Sequence, residues 1–151
     1  MKKIKTLIIL LLLFGYSFIS ATQHYEISSN SSPTTKNYKN WSQIGEGGVF
    51  YVTQQGTLNL GSNVNFSTNS ATQNGGAICN NGTTITWDDG YYYNNSAQNA
   101  GALLNYPNGI MNIGQNSRFE NNHATGEGGC GGAIANAGTL NLKKDGTLVY
   151  N

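Results

Sequence analysis

Charge is scarce in this chain: Asp, Glu, Lys and Arg make up 10% of the 151 residues and leave a formal net charge of +1. Two classes are disfavoured at once. A solvated disordered tail needs high net charge and few aromatics, whereas 11% of these residues are aromatic. Nucleic-acid binding needs a basic stripe, and the eight Lys and Arg form no cluster outside the N-terminus. Long hydrophobic runs are missing too. The run from Leu7 to Phe14 is well short of the roughly 20 residues of a membrane-spanning helix, and no later segment could span a bilayer. Helix-forming windows are also absent, because from Gly47 onward no stretch free of Gly, Asn and turn pairs reaches the length that helix nucleation demands.

What is abundant is Gly, at 20, and Asn, at 22. Together they exceed a quarter of the chain, whereas Gly alone usually contributes about 7%. At the N-terminus, Lys2, Lys3 and Lys5 precede the short apolar run, and Ile19 and Ala21 fit a cleavage site. Residues 1–21 therefore read as a secretory signal peptide, whose removal leaves five basic and seven acidic residues. Residues 22–46 are polar and aperiodic, and are expected to form a flexible leader or a loosely packed N-terminal cap. Trp41 and Ile44 are expected to plug the end of the segment that begins at Gly47.

From Gly47 the chain repeats itself. Gly47-Gly48-Val49-Phe50, Gly75-Gly76-Ala77-Ile78, Ala100-Gly101-Ala102-Leu103 and Gly131-Gly132-Ala133-Ile134 begin four units, spaced by 28, 25 and 31 residues. A period in this range marks a solenoid or array. Each unit holds three short apolar pieces separated by Gly, Asn or Ser clusters. Within the pieces, Leu58 and Leu60 flank Asn59, Ile85 and Trp87 flank Thr86, and Leu140 and Leu142 flank Asn141. Period two means strand with one face buried. The fold expected is all-β: a right-handed parallel β-helix of about four rungs over residues 47–151, incomplete at its C-terminus, with three strands per rung.

Physical roles can be assigned to the repeated residues. Gly75, Gly76, Gly131 and Gly132 suit a sharp corner requiring positive φ or close backbone approach. Ala77, Ala102 and Ala133 suit a narrow coil. Ile78, Leu103 and Ile134 are expected to stack inward at one corner, and Phe66, Tyr92, Phe119 and Leu148 at another. Asn69, Asn95, Asn122 and Asn151 each come three positions after such a residue, where an amide can hold the turn backbone and bond to the same amide in the next rung. Low charge fits this scheme, since stacking would set like charges face to face.

Gly-Gly-Ala-Ile at 75–78 and 131–134, with Phe-x-x-Asn at 66–69 and 119–122, resembles the repeats of chlamydial polymorphic outer membrane proteins and their relatives. The resemblance covers about residues 47–151. It implies a surface-exposed β-helical passenger involved in adhesion, usually exported through a C-terminal β-barrel. Ala100 stands for the first Gly in one unit and Leu148 for Phe in the last. The pattern stops at Asn151 without a barrel. A piece of a longer passenger is expected, with an end-to-end assembling small protein or a gene remnant as alternatives.

No catalytic, cofactor or metal site is expected. Asp88 and Asp89, the only adjacent acids, would face opposite sides of a strand and, beside Gly90, read as a turn. His123 reads as a surface loop residue without a nearby nucleophile. The run 126–132 lacks the Asp of a glycine-rich calcium repeat and reads as an inter-rung loop. Cys79 and Cys130 lie about 9.6 Å apart along the coil axis, beyond the roughly 4.4–6.8 Å that a bridge allows, so no disulfide is expected. Asn-x-Ser/Thr matches such as Asn30, Asn40, Asn65, Asn81 and Asn94 arise from composition.

The function expected is an adhesin-like binding or structural role in a secreted, cell-surface or outer-membrane protein. Tyr91 and Tyr93 are the candidate binding surface, and the partners expected are a host or neighbouring-cell protein or glycan, with end-to-end self-association. The alternative is a polysaccharide lyase or hydrolase on the same fold. Ice binding, through Thr57, Thr84 and Thr139, is weakened because the neighbouring column is Asn rather than Thr.

Overall fold

The computed structural model describes residues 24–143 and the backbone of 147–148. The expected signal peptide, Asn151 and the side chain of Leu148 lie outside the described residues. The described chain is all strand, without helix, coiled so that each strand pairs in parallel with its equivalent one turn away. The first turn comprises β1 (Tyr25–Ile27), β2 (Asn30–Ser31), β3 (Asn37–Lys39) and β4 (Ser42–Gln43). The second comprises β5 (Phe50–Val52), β6 (Thr57–Leu60), β7 (Asn65–Ser67) and β8 (Ser70–Ala71). The third comprises β9 (Ile78–Asn80), β10 (Thr83–Thr86), β11 (Tyr91–Tyr93) and β12 (Ser96–Ala97). In the fourth are β13 (Leu103–Asn105), β14 (Ile110–Ile113), β15 (Arg118–Glu120) and β16 (His123–Ala124). The last strands are β17 (Ile134–Asn136), β18 (Thr139–Leu142) and β19 (Thr147–Leu148). Equivalent strands form sheets 1 to 4, named by their place in the turn. Sheets 1 to 3 have five strands each and sheet 4 has four.

Two features differ from the sequence reading. Each turn has four strands, not three; the fourth is only two residues long, too short to display a period in sequence. Residues 25–43, expected as a flexible leader or loose cap, are built as a turn of the same solenoid. Tyr25, Asn30, Asn37 and Ser42 pair with Phe50, Thr57, Asn65 and Ser70, and Tyr38 is buried. Trp41 packs against the core as expected. Ile44 does not, being 73% exposed.

The interior is a set of columns. Tyr38, Phe66, Tyr92 and Phe119 stack ring on ring, with centroids 4.8, 5.2 and 4.5 Å apart and planes within 12° of parallel. That spacing matches the sheet repeat of about 4.8 Å. Phe50, Ile78 and Leu103 form a second buried column, which the partly buried Ile134 continues. Burial pushes the Tyr38 phenol up to about 12 and the Tyr92 phenol up as well, partly offset by the Thr86 hydroxyl beside it. The folded state therefore holds these protons after the unfolded chain, with tyrosines near pH 10, has lost them. This stabilisation is intact below about pH 10 and fades as the pH rises toward 12. Equilibrium unfolding across that range should show the loss. Tyr92→Phe should reduce it at little cost at neutral pH, because the Tyr92 hydroxyl makes no well-formed hydrogen bond.

The paired glycines divide their labour. Gly47, Gly75 and Gly131 have φ of 64°, 61° and 67°, the left-handed region that costs other L-residues roughly 1–2 kcal/mol. Ala100 occupies the same position at φ 56°. Ala100→Gly is therefore expected to stabilise the fold, but by only about 0.5–1 kcal/mol, since glycine also loosens the unfolded chain. Chemical denaturation would measure the gain. The second glycine is needed for the close approach of the next turn. A Cβ on Gly76 would lie 2.1 Å from the carbonyl oxygen of Gly101, and one on Gly101 would lie 2.2 Å from that of Gly132.

Sheet 2 corrects the alignment of one strand. Leu58 and Leu60 point inward, and their partners are Thr84 and Thr86 rather than Ile85 and Trp87. Ile85 and Trp87 face outward. The outer column thus holds Thr57, Thr83, Ile110 and Thr139, with Thr83 in the place expected for Thr84. Gly82 sets this register, because it fills the site equivalent to Gly56, where an added Cβ would approach the Gly56 carbonyl oxygen to 2.4 Å. Inside, the Thr84 hydroxyl donates to Asn80 Oδ1 at 2.9 Å.

Candidate functional site

The Tyr91-Tyr92-Tyr93 run lies on β11, and strand alternation splits it. Tyr92 enters the core with no exposed surface, while Tyr93 is 37% exposed and Tyr91 half-buried on the outer face of sheet 3. The two outer rings lie 5.8 Å apart and within 17° of parallel. Register places Arg118 beside Tyr91 and Glu120 beside Tyr93 on the next turn. The Arg118 guanidinium lies over the Tyr91 ring at 5.8 Å and pairs with Glu120. The Tyr91 hydroxyl donates to Glu120 Oε2 at 2.8 Å. Burial and this contact with Glu120 raise the Tyr91 phenol above its ordinary value, and Arg118 opposes them. The tyrosine pair is thus fixed from one side.

The other residues singled out in sequence have structural settings. Asp88 and Asp89 lie in the bend between β10 and β11, as the turn reading requires. Asp88 Oδ1 accepts from the Gln115 amide at 3.1 Å and from Lys143 Nζ at 3.3 Å, and Asp89 Oδ1 accepts from Asn116 Nδ2 at 3.2 Å. Both therefore brace the next turn. His123 is exposed, but it lies in strand β16 rather than a loop. The coil brings Ser96 into register beside it, a neighbour invisible at 27 residues' separation in sequence. Gly126–Gly129 form a turn closed by a 2.8 Å backbone hydrogen bond. Cys79 is a buried free thiol and Cys130 an exposed one.

One polar cluster escaped the sequence reading because its members come from three turns. Glu46 accepts from the Tyr106 hydroxyl, from Asn74 Nδ2 at 3.0 Å and from the Cys79 thiol at 3.7 Å. Burial and the Glu46 carboxylate push that thiol far up, which leaves it protonated and a poor nucleophile. The cluster ties successive turns together. Among the described residues no group of three or more His, Cys, Asp or Glu could hold a metal ion, and no helix is long and apolar enough to cross a membrane.

Two asparagine ladders run along the coil, buried at Asn69, Asn80, Asn95, Asn105 and Asn122 and exposed at Asn136. Asn69 Nδ2 donates to Asn95 Oδ1 at 2.9 Å, and Asn95 Nδ2 donates to Asn122 Oδ1 at 3.0 Å. Each of the three amides also donates to a core-strand carbonyl of the preceding turn, from Tyr38, Phe66 and Tyr92. This is the ladder expected from Phe-x-x-Asn. The second, Asn80 to Asn105 to Asn136 at 2.7 and 2.8 Å, was legible as an Asn two places after the Ile or Leu of each corner tetrapeptide.

One stretch carries all these devices together: the stacked Phe66, the ladder residue Asn69, and the corner Gly75 to Ile78. Residues 63–81 match the Chlamydia polymorphic membrane protein repeat. No curated protein and no solved structure gives a significant match. The polymorphic membrane protein repeat thus takes in β7, β8 and β9, so that its Phe and Asn come from one turn and its Gly-Gly-Ala-Ile opens the next. Repeat and solenoid together fit a surface β-helical repeat protein.

Proposed function

We propose that this protein is secreted or displayed at the cell surface or outer membrane, and that it acts as an adhesin, holding a host or neighbouring-cell partner against the outer face of sheet 3. The observation that carries this reading is the outward Tyr91–Tyr93 pair on a rigid parallel sheet, with Tyr92 locked in the core between them. Two ordered aromatic rings offer a large contact area at small entropic cost, and such residues are enriched at the energetic centres of interfaces. The polymorphic membrane protein repeat at 63–81 supports the surface setting.

The test is binding of fluorescently labelled protein to candidate host or neighbouring cells, with the Tyr91→Ala/Tyr93→Ala double variant alongside. Saturable binding that falls by about tenfold or more in the variant is expected, the scale of a lost aromatic anchor. Equal binding by both proteins would contradict adhesion through this face.

A further inference from the structure

The neighbours of the tyrosine pair along the coil narrow the chemistry of its ligand. Arg118 covers the Tyr91 face toward the next turn. Toward the preceding turn, the residues in register with Tyr91 and Tyr93 are Asn65 and Ser67, whose side chains are short. One turn further, Asn37 and Lys39 complete the same two columns. A slot results between the tyrosine pair on one side and the long Lys39 side chain on the other, with the short Asn37, Asn65 and Ser67 as its floor. Two strand spacings, about 9.6 Å, separate the walls. A single flat ring in contact at about 4 Å from the aromatic wall fits that span and leaves its substituents facing Lys39.

The charges around the slot are polarised. Both ion pairs among the described residues use other cations, Arg118 with Glu120 and Lys143 with Asp88, so exposed Lys39 keeps an unpaired ammonium. Glu120, at the far side of the tyrosines, has its charge matched by Arg118, so that pair presents no net charge to the slot. An anionic group entering the slot is therefore directed toward Lys39.

Building on the adhesive reading, we propose that this slot binds an acidic glycan. The apolar face of one sugar ring stacks on Tyr91 and Tyr93, hydroxyls meet Asn65 and Ser67, and a carboxylate or sulfate pairs with Lys39. An acidic peptide such as oligoglutamate satisfies Lys39 equally well, but it lacks a ring face for the tyrosines.

The test is titration of the purified protein with oligogalacturonate, which carries carboxylates, with heparin oligosaccharides, which carry sulfates, with a neutral dextran oligosaccharide and with oligoglutamate. Binding to either acidic glycan, at least tenfold tighter than to dextran and oligoglutamate and weakening as salt rises, is expected. Which of the two binds identifies the anionic group. Tyr93→Ala should weaken that binding by about tenfold. Lys39→Ala should weaken it by about three- to fivefold at low salt and flatten the salt dependence, with Lys39→Arg restoring both. Tyr93 and Lys39 are exposed, so unchanged melting of the variants separates binding from folding. Failure of both acidic glycans to bind, equal binding of dextran, preference for oligoglutamate, or indifference to Lys39→Ala would each overturn the proposal. If cell binding depends on Tyr91 and Tyr93 while neither acidic glycan binds or competes, the ligand class fails and the adhesive reading stands.

Discussion

Gly76→Ala is expected to lower the melting temperature by about 10 °C, a loss of about 3 kcal/mol, whereas Gly75→Ala next to it should cost only about 1–2 kcal/mol. Both Cβ atoms would meet backbone, and the contrast comes from where it lies: at Gly75 the nearest atom is the Ile78 carbonyl oxygen, 2.2 Å away and only three residues on in the same corner. At Gly76 the new methyl would sit 2.1 Å from the Gly101 carbonyl oxygen and 2.6 Å from the Ser96 backbone nitrogen and oxygen. These atoms belong to the next turn and are themselves in the parallel ladder, where the Ser96 amide donates to Asn69 and the Gly76 amide donates to Ala100. Relief would require two turns to part, and close-packed interiors have little room to give. At Gly75 the backbone is left-handed and the crowding is within one corner, which can adjust by itself: Ala100 shows that this solenoid accommodates an alanine at the equivalent position at φ 56°. Thermal melts of the two single variants, followed by circular dichroism, make the comparison. Equal losses would mean that the close approach of the next turn adds nothing to the cost.

Removal of one rung of the asparagine ladder should be as severe. Asn95 is fully buried. Its Oδ1 accepts from the Asn69 backbone amide at 3.1 Å and from Asn69 Nδ2 at 2.9 Å, while its Nδ2 donates to the Phe66 carbonyl and to Asn122 Oδ1, each at 3.0 Å. Asn95→Ala leaves these groups without partners in the interior, and each unsatisfied buried group costs about 1–3 kcal/mol. A total loss of about 3–4 kcal/mol is expected, since relaxation recovers part of the sum. Asn95→Asp replaces the donor amide by a buried carboxylate facing Asn122 Oδ1. Burial without a cation raises the acid's pKa, so the variant should be weakest at neutral pH and regain stability as acidification protonates it. Urea denaturation at several pH values would detect that recovery, and an Asp variant as stable as wild type at neutral pH would show that the amide ladder is dispensable.

These two devices, corner glycines and stacked amides, are also what made the fold legible. Phe66, Tyr92 and Phe119 recur in phase with Asn69, Asn95 and Asn122, and both columns exist in the structure as the repeat implies. The first turn was opaque because it lacks those marks: three places after Tyr38 stands Trp41 instead of Asn. The ladder begins there with a backbone group, the Trp41 amide donating to Asn69 Oδ1 at 3.0 Å. The slip in β10 has a different cause. Ile85 and Trp87 carry the more hydrophobic alternation, and hydrophobicity alone would turn them inward. Gly82 overrides it, because the backbone contact at the Gly56 site admits no Cβ and fixes the register of the whole strand. A shift of one residue exchanges the two faces of a strand, so Thr84 and Thr86 become core and Trp87 is left 47% exposed beside Lys143. Of the candidate site, the outward Tyr91 and Tyr93 were readable from alternation. Lys39, Asn65 and Arg118 were not, since only the coil brings them beside the tyrosines.

Paired cysteines test the parallel solenoid and its register most directly. In a Cys130→Ser background, Thr57→Cys with Thr83→Cys places two outward thiols on adjacent strands in direct register, about 4.8 Å apart and within the range a disulfide spans. Mild oxidation should join them quantitatively. Thr57→Cys with Thr84→Cys should stay reduced, because position 84 points into the core. Cross-linking of the 57/84 pair in preference to the 57/83 pair would contradict the register and, with it, the stacking on which the asparagine ladders and the tyrosine face depend.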